Sequence, residues 1–225
     1  MKKPIYYRIF NYNKNLLPNV YLKSLEENVC TIEEAKVKTG LTIGYPGWGL
    51  LYYAVLSSLN PDKFNNIIET GSNYGCTTIV LAQALIDSKK NGHLYSIELD
   101  KENFKIAKKN LKSAKVDKYV TLINNNTHKV LPELLNNIDN ISVAFMDASH
   151  MCDDVIKEFE IIYPKLNDNS LVIFDNTYLM AEEQEDQQVN GALRHILKTY
   201  GGNLVNFETV SWHPPGIAIW QRKPF

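Results

Sequence analysis

Two aspartates and an asparagine stand directly after two apolar strand patterns, and their side chains are suited to holding a metal ion. Asp147 follows the first of these patterns, and Asp175 and Asn176 follow the next. Adjacent parallel strands lie only ~4.8 Å apart and end at one edge of a sheet, so the three side chains are expected to converge. Two neighbouring carboxylates repel each other unless a cation lies between them or one takes a proton. Oxygen ligands of this kind suit a hard divalent ion, and we predict Mg²⁺.

A glycine-containing turn between a short apolar run and a helical pattern predicts a binding loop for an anion or a nucleoside. Glu69, Gly71 and Gly75 have the spacing acidic-x-Gly-x-x-x-Gly. Glycine is needed where the backbone takes a positive φ or approaches a ligand closely, and the helix start beyond it offers free N–H groups. Thr77 lies there, either to meet a carboxylate or simply to cap the helix. The pattern G-x-G-x-x-G is absent, so a dinucleotide pyrophosphate is poorly served.

Two further strand ends carry polar groups. Glu98 closes the second strand pattern, where a carboxylate can accept hydrogen bonds from both ribose hydroxyls of a nucleoside cofactor. Asn126 lies in the asparagine-rich turn after the third strand. Such a turn needs no ligand to explain it, because asparagine caps turns and tolerates left-handed backbone. The sequence therefore leaves Asn126 open between a binding and a turn-forming role.

The elements that would position these residues alternate between strand and helix, which is typical of a doubly wound α/β fold. The last two strands are joined by too few residues for a parallel crossover, so they are expected to form an antiparallel hairpin. The predicted helices are residues 20–25, 31–40, 50–59, 77–85, 104–114, 153–163 and 189–200, and the predicted strands are 67–68, 93–97, 120–123, 143–146, 171–174, 204–210 and 217–221.

Length and composition bound the class of protein. A chain of 225 residues with 44% hydrophobic content has the size of one α/β domain. No run approaches ~18 apolar residues, so we expect no membrane span. The net charge of −1, with both signs scattered, argues against a nucleic-acid partner and favours a small-molecule one. Cys30, Cys76 and Cys152 show neither disulfide nor zinc spacing, and a cytoplasmic location is expected.

The glycine loop resembles the first motif of the class I S-adenosylmethionine-dependent methyltransferases. Asp147 followed later by Asp175 and Asn176 resembles the metal-dependent O-methyltransferases of this class, the group of the catechol and caffeoyl-CoA enzymes. The resemblance extends from Gly44 to the C-terminus. It implies a Rossmann-like sheet of seven mostly parallel strands with helices on both faces and a C-terminal antiparallel hairpin. Residues 1–43 would form a helical or extended preface to a methyltransferase domain at 44–225.

A narrower resemblance is carried by other residues. His150 three positions after Asp147, the segment 214–216 and the region of Trp48 are more similar to the macrocin and sugar O-methyltransferase branch, which includes cephalosporin-hydroxylase-like proteins. Catechol-type relatives have a lysine at the place of His150. The histidine here is a departure that favours a less acidic, sugar-like alcohol as the acceptor.

The resemblance implies a role for each candidate residue. The glycine loop would hold the methionine end of S-adenosylmethionine, and Asn126 would hold its adenine. The cofactor-binding set is Glu69, Gly71, Ser72, Gly75, Thr77, Glu98 and Asn126. Asp147, Asp175 and Asn176 would bind the Mg²⁺ that lowers the pKa of the acceptor hydroxyl. His150 is the candidate general base beside Asp147, because histidine titrates near neutral pH.

We therefore predict a divalent-metal-dependent O-methyltransferase that uses S-adenosylmethionine and acts on a small-molecule hydroxyl, in a sugar or glycosylated natural product. A nicotinamide oxidoreductase would share Glu98 but not the glycine spacing. A non-catalytic protein that keeps the fold and binds a partner is the other alternative. A homodimer is compatible with all three. The acidic stretch 182–186 is interpreted as a solvated loop rather than a lid.

Overall fold

The computed structural model describes residues 9–177, 187–207 and 216–222. Its α-helices, in chain order, are α1 (Val20–Glu26), α2 (Ile32–Thr39), α3 (Gly47–Ser58), α4 (Cys76–Ser88), α5 (Lys101–Ser113), α6 (Thr127–Leu135), α7 (Cys152–Ile162) and α8 (Val189–Tyr200). Its strands are β1 (Asn65–Thr70), β2 (Gly92–Glu98), β3 (Val120–Asn124), β4 (Ile141–Met146), β5 (Leu166–Asp175), β6 (Asn203–Phe207) and β7 (Ile217–Gln221). No helix in these ranges is long and apolar enough to cross a membrane.

The seven strands form one sheet in the order β3-β2-β1-β4-β5-β7-β6. β1 pairs in parallel with β2 and with β4, and β5 continues the parallel run beside β4. β7 is antiparallel to both of its neighbours, β5 and β6. The predicted mostly parallel sheet with a closing antiparallel pair is confirmed, and the ends of β1, β2, β4 and β5 meet at one edge.

Apolar side chains cover both faces of the sheet. β1 is buried along its whole length, as expected for the central strand of a doubly wound sheet. One core lies under α3, α4 and α5 and includes Leu51, Ile79, Leu81 and Phe145. The opposite core lies under α6, α7 and α8 and includes Phe159, Leu193 and Trp220. Because helices pack on both faces, the edge formed by the strand ends is the part of the sheet left for a ligand.

The described part of the preface contains a short 3-10 helix, Lys14–Leu16, followed by α1 and α2, and local hydrogen bonds cap these helices. At the start of α2, Thr31 Oγ1 accepts from the Glu34 N–H at 3.2 Å, and Glu34 Oε2 accepts from the Thr31 N–H at 3.1 Å. This is the capping box that the spacing predicts. α2 ends at Gly40, which takes the left-handed conformation with φ 66°. Gly40 thereby turns the chain toward the edge of the sheet. The domain boundary at residue 43 stays a prediction.

Most elements lie where the sequence predicts them, and α8 has the predicted bounds. α6 is the exception, because the sequence pattern does not predict a helix at residues 127–135. Pro132 lies inside it, and proline usually stops a helix. Three predictions concern residues outside the described ranges: the continuation of β6 to residue 210, the segment 214–215 and the acidic stretch 182–186.

Candidate active site

A cavity of about 670 Å³ opens at the edge where the parallel strands end. Residues from four strand ends, from the starts of α6 and α7 and from the preface line it. Of the predicted site residues, it is lined by Gly71, Glu98, Asn126, Asp147, His150, Asp175 and Asn176. Glu69, Ser72, Gly75 and Thr77 are not among the described residues that line it. The structure therefore places the predicted metal ligands and the predicted base around one cavity, whereas four of the predicted cofactor residues do not line it.

Gly71 is the glycine that the edge of the sheet requires. Its φ is 84°, and a Cβ added to it would lie 2.2 Å from the carbonyl oxygen of Asp147. The two loops stay in contact because the Asp147 N–H donates to Thr70 O at 3.0 Å. No side chain fits between them, so Gly71 presents bare backbone to the cavity. Gly75 has a different role: it caps α4 with φ 78° and packs on Ala107.

Glu69 lies beneath the cavity floor, fully buried in β1. Its Oε2 accepts from Ser96 Oγ at 2.5 Å and from Thr78 Oγ1 at 2.6 Å. Burial raises the pKa of this carboxyl to about 8, against the lowering effect of the two hydroxyl donors, and the charges of Asp147 and Glu98 raise it further. Glu69 thus joins β1, β2 and α4 below the glycine loop.

Two other predicted cofactor residues also point away from the cavity. The Thr77 hydroxyl lies 2.9 Å from that of Thr42 in the preface, so the helix start is tied to the segment before α3. Ser72 is 3% exposed, and its hydroxyl has no hydrogen-bond partner within the described part of the chain. The hydroxyl of Thr77 therefore takes part in a tertiary contact and does not line the cavity.

Glu98 stands at the end of β2 with its carboxylate held by the backbone. Oε2 accepts from the Asn73 N–H at 2.6 Å, and Oε1 accepts from the Asp100 N–H at 2.7 Å. Burial raises the pKa of Glu98 and these N–H donors lower it, with burial the larger effect. The carboxylate is 7% exposed and lines the cavity. It is fixed in place and retains lone pairs for a ligand that offers hydroxyl groups.

A buried carboxylate of α7, Glu158, lies at the cavity beside the start of α6, and the sequence analysis did not identify it. Glu158 of α7 accepts from Thr127 Oγ1 at 2.6 Å and from Thr70 Oγ1 at 2.9 Å. His128 Nε2 lies 3.9 Å from Glu158 Oε1. Asn126, the cap of α6, leaves its own side chain without a capping bond and lines the cavity. Glu158 therefore ties the end of β1 and the start of α6 to α7 on one side of the cavity.

Asp147 and Asp175 face the cavity from β4 and β5. Burial raises the pKa of Asp147, and the neighbouring His150 lowers it. For Asp175, burial and then the charge of Asp147 hold the pKa well above its usual range. Asp175 Oδ1 is buried and has no hydrogen-bond partner among the described residues. The two carboxylates repel each other, as adjacent acids do when no cation compensates them.

His150 and Asn176 complete this side of the cavity. The Asn176 Nδ2 lies 2.6 Å from His150 Nε2 and 2.9 Å from Nδ1. His150 Nε2 is 3.5 Å from Asp147 Oδ1, and the imidazole side chain is 49% exposed. Asn176 has φ 60°, a left-handed conformation that asparagine tolerates. The histidine ring is therefore held between an amide and a carboxylate and remains open to the cavity.

Comparison with known proteins identifies this arrangement. Residues 68–177, which run from β1 through β5 to the residues just after it, match the family described as Methyltransferase domain. This segment of 110 residues, just under half of the chain, is therefore similar to a methyltransferase domain. A protein of Arabidopsis thaliana named as a caffeoyl-CoA O-methyltransferase is 27% identical over 156 residues, which is 69% of this chain and 64% of the plant protein.

Solved structures extend the likeness beyond the matched segment. An O-methyltransferase from Bacillus cereus in complex with SAH superimposes with a TM-score of 0.70 at 16% identity, over 90% of each chain. The O-methyltransferase TomG from Streptomyces achromogenes, solved in complex with SAM, gives 0.71 at 18% identity, over 92% of this chain and 91% of its own. The chain thus has the fold of these two O-methyltransferases. The Rossmann-like fold expected from the resemblance is confirmed, and the narrower sugar O-methyltransferase branch stays a prediction.

The cavity also includes residues that the sequence analysis did not identify, and for two of them, Glu158 and Asn73, the sequence or backbone carries a signal. Glu158 lies on the buried stripe of α7 with Val155, Phe159 and Ile162, where a lone acid is out of place. Asn73 lies between the two motif glycines and has φ 47°. Gly40, Leu41 and Ile43 of the preface also line the cavity, and only tertiary packing places them there.

Proposed function

We propose that this chain is an S-adenosylmethionine-dependent O-methyltransferase that uses a divalent metal ion and acts on a hydroxyl group of a small molecule. The observation that carries the proposal is that Glu98 and the pair Asp147 and Asp175 face the same cavity. Glu98 suits the ribose of a nucleoside cofactor, and the aspartate pair suits a metal ion that binds the reacting hydroxyl. A cavity of about 670 Å³ is within the ordinary range for small-molecule sites, roughly 300–1,000 Å³.

The cofactor side fits a nucleoside that carries an amino acid. Glu98 is pinned by two N–H donors and can accept the ribose hydroxyls. Gly71 offers backbone without a Cβ beside it, which suits the methionine end. Asn126 leaves its amide free of a capping bond on the side where a base would lie. These three residues are proposed as the cofactor contacts that line the cavity, while Glu69 and Gly75 act by shaping the loop.

The reaction side fits a hard divalent ion, with Mg²⁺ as the proposed metal. Within the described ranges, no group of three or more His, Cys, Asp or Glu side chains is arranged to hold a metal. The proposed set is instead two carboxylates and one amide, from Asp147, Asp175 and Asn176. The unpartnered Oδ1 of Asp175 and the mutual repulsion of the two acids support it, because a cation would relieve both. When bound, such an ion lowers the pKa of a hydroxyl and fixes its direction.

The chain's own residues then orient the acceptor and remove its proton. His150 is proposed as the general base, with its ring held between Asn176 and Asp147. As the acceptor oxygen forms a bond to the methyl carbon, the sulfur–methyl bond breaks and leaves a neutral thioether. The hydroxyl proton passes to an unprotonated ring nitrogen of His150. Holding the acceptor oxygen in line with the methyl group contributes the remaining rate enhancement.

The charges of the cavity support an acceptor without a negative group. The described lining residues include five carboxylates, two histidines and no lysine or arginine. A cleft lined by negative charge attracts cations and repels anions, so a neutral acceptor enters it with less cost than an anionic one. A sugar-like alcohol fits this lining better than the coenzyme A thioester in the name of the plant relative. A small-molecule acceptor and a homodimer stay predictions.

Cofactor binding tests the proposal. Isothermal titration of the full chain with S-adenosylhomocysteine, with NAD in a parallel titration, is expected to show binding of the first alone. Binding of NAD in its place would favour the oxidoreductase alternative. Binding of neither would leave a non-catalytic protein as the better account.

The metal has a separate test. Protein treated with EDTA is expected to bind S-adenosylhomocysteine as before and to regain methyl transfer only when Mg²⁺ or Mn²⁺ is added. Full transfer to an acceptor by the metal-free protein would show that the oxygen cluster is structural. A sugar panel and a catechol panel, assayed with labelled S-adenosylmethionine, would then separate the two acceptor classes.

A further inference from the structure

The turn that follows α2, residues Gly40 to Ile43 and called the preface turn below, forms one wall of the cavity. Gly40, Leu41 and Ile43 line it. Gly40 and Leu41 both take left-handed backbone, with φ 66° and 61°. This conformation costs little for glycine but is an outlier for a bulky residue such as leucine. Something outside the turn must therefore hold it in place.

Asn73 of the glycine loop makes that contact. Its side-chain Nδ2 donates to Gly40 O at 2.5 Å. Its own backbone N–H donates to Glu98 Oε2 at 2.6 Å. The same residue thus contacts the preface turn with its side chain and the proposed ribose-binding carboxylate with its main chain. Its left-handed φ of 47° makes both bonds geometrically compatible, and asparagine is a residue that tolerates this conformation.

The fit between the two loops is close from the other side as well. A Cβ added to Gly40 would lie 2.7 Å from Asn73 Oδ1 and 2.8 Å from Tyr74 Cγ. Only glycine therefore allows the carbonyl of the preface turn to reach Asn73. The preface turn and the glycine loop interlock at this point, beside the place where the proposed cofactor would lie.

Other contacts hold the rest of the preface, so the bond from Asn73 is not needed to keep it folded. Tyr21 of α1 donates its hydroxyl to Asn110 Oδ1 of α5 at 2.7 Å. Asn110 in turn donates to Tyr74 O at 2.8 Å. The Asn19 side chain donates to Gln83 Oε1 of α4 at 2.9 Å. Thr42 Oγ1 lies 2.9 Å from Thr77 Oγ1, and the Ile43 side chain is buried. Loss of the Asn73 side chain should therefore free the Gly40 and Leu41 end of the preface turn without releasing its other end or α1.

We propose that Asn73 is a positioning residue that couples closure of the preface turn to cofactor binding at Glu98. The proposal rests on the proposed function, because it needs a nucleoside cofactor in this cavity. A cofactor that binds Glu98 fixes the Asn73 backbone, and Asn73 then holds Gly40 and the strained Leu41 against the cavity. By linkage, a docked preface turn increases cofactor affinity to the same degree that the cofactor stabilises the turn.

The test uses the full chain, S-adenosylhomocysteine as the probe and three variants. Asn73→Gly keeps the left-handed backbone and the N–H to Glu98 but removes the bond to Gly40. Asn73→Asp keeps the size and replaces the donor by an acceptor that repels the Gly40 carbonyl. Asn137→Gly is the matched control, because Asn137 donates the same kind of bond to Glu133 O at 3.1 Å away from the cavity. Titration calorimetry gives the Kd, and hydrogen exchange with and without probe reports on amides 40–43.

Asn73→Gly is expected to bind S-adenosylhomocysteine about 5-fold more weakly, which is the ordinary effect of losing one neutral hydrogen bond. Asn73→Asp is expected to exceed this loss, and Asn137→Gly to bind like the wild type. The probe is expected to protect amides 40–43 in the wild type and much less in both Asn73 variants. A weaker Kd with unchanged protection, or the reverse, contradicts the coupling. A wild-type chain that does not bind the probe would instead refute the proposed function.

Discussion

The two halves of the cavity hold the same kind of group, a carboxylate at a strand end, in opposite states of hydrogen bonding. The half around Glu98 is the one proposed to bind the cofactor and is called the cofactor half; the half around Asp147 and Asp175 is called the reaction half. In the cofactor half, each oxygen of Glu98 accepts a backbone N–H. In the reaction half, Asp175 Oδ1 has no partner in the described part of the chain, and Asp147 has only the 3.5 Å approach of His150. The protein thus supplies hydrogen bonds to both oxygens of Glu98, whereas the pair Asp147 and Asp175 receives few from the described residues, which supports the proposal that a bound cation completes it.

This difference indicates which half carries the chemistry. A buried charge without partners is costly, and a fold retains it only where a ligand or a function compensates the cost. Preorganised donors around Glu98 fix a binding surface, whereas the two acids on β4 and β5 remain in mutual repulsion. Substitutions in the two halves should therefore have separable effects on binding and on turnover.

The largest effect is expected from Asp175→Asn. Loss of one proposed ligand should weaken Mn²⁺ binding by at least about 100-fold and reduce methyl transfer by about 10³-fold, since a metal supplies several kcal/mol to the transition state. S-adenosylhomocysteine affinity should stay within a few-fold of the wild type. The measurements are electron paramagnetic resonance of added Mn²⁺ and calorimetry. Asp153→Asn, a change at an exposed residue of α7, is the control.

The same variant also tests the repulsion between the two acids. At pH 8 the metal-free Asp175→Asn protein should melt at a higher temperature than the wild type, because one of two repelling carboxylates is gone. If it melts lower and still binds Mn²⁺ normally, the acids are structural and the contrast between the two halves is wrong.

Glu98→Gln should produce the next largest effect, confined to the cofactor half. The amide cannot accept the Asn73 and Asp100 N–H groups on both atoms, and hydrogen bonds to a charged group contribute about 1.5–3 kcal/mol each. We expect the Kd of S-adenosylhomocysteine to rise by about 10- to 100-fold while Mn²⁺ binding is unchanged. Equal losses of both ligands would show that the halves are one unit.

Glu69→Gln tests whether Glu69, which is buried beneath the cavity, affects stability rather than ligand binding. The folded pKa of Glu69 is about 8, above the value of about 4.3 expected in the unfolded chain. The folded state therefore holds this proton more tightly, and its stabilising contribution is complete below pH ~4 and is lost as pH rises toward 8. The variant lacks this group, so its melting temperature relative to the wild type should increase steadily between pH 5 and pH 8.5.

A few kcal/mol, or roughly 5–10 °C, is the expected size of this relative change for a chain of this length. The slope with pH is the measurement, because the variant also pays a constant cost for a buried amide beside Ser96 and Thr78. A pH-independent difference between the two proteins would mean that Glu69 is ionised in the fold.

The sequence predicts the strand-end acids because one rule places them: parallel strands end at the same edge of a sheet. Asp147, Asp175 and Glu98 could therefore be assigned to a common cavity without knowledge of any contact. The cap at Gly40 and the end of α8 at Gly201 were predictable for a similar reason, since glycine stops helices through its own backbone.

What could not be predicted depends on the direction and depth of side chains. Glu69 and Gly71 are two residues apart in the same motif, yet one is sealed under the floor and the other lines the cavity. Spacing does not distinguish the hydroxyl of Thr77 aimed at a ligand from one aimed at Thr42. The preface turn reaches the cavity through packing that no local pattern encodes.

Asn126→Ala is expected to have the smallest effect and sharpens the contrast within the cofactor half. Glu98 is held by two N–H donors, whereas the Asn126 side chain makes no capping bond to α6. If its role is a single neutral hydrogen bond to the adenine, removal should weaken S-adenosylhomocysteine binding by about 5-fold and leave the melting temperature unchanged. S-inosylhomocysteine, which lacks the adenine amino group, should then bind both proteins with nearly equal affinity. A lower melting temperature with unchanged affinity would instead assign Asn126 to the turn alone, and the base would have to be held by the neighbouring Thr127 and His128.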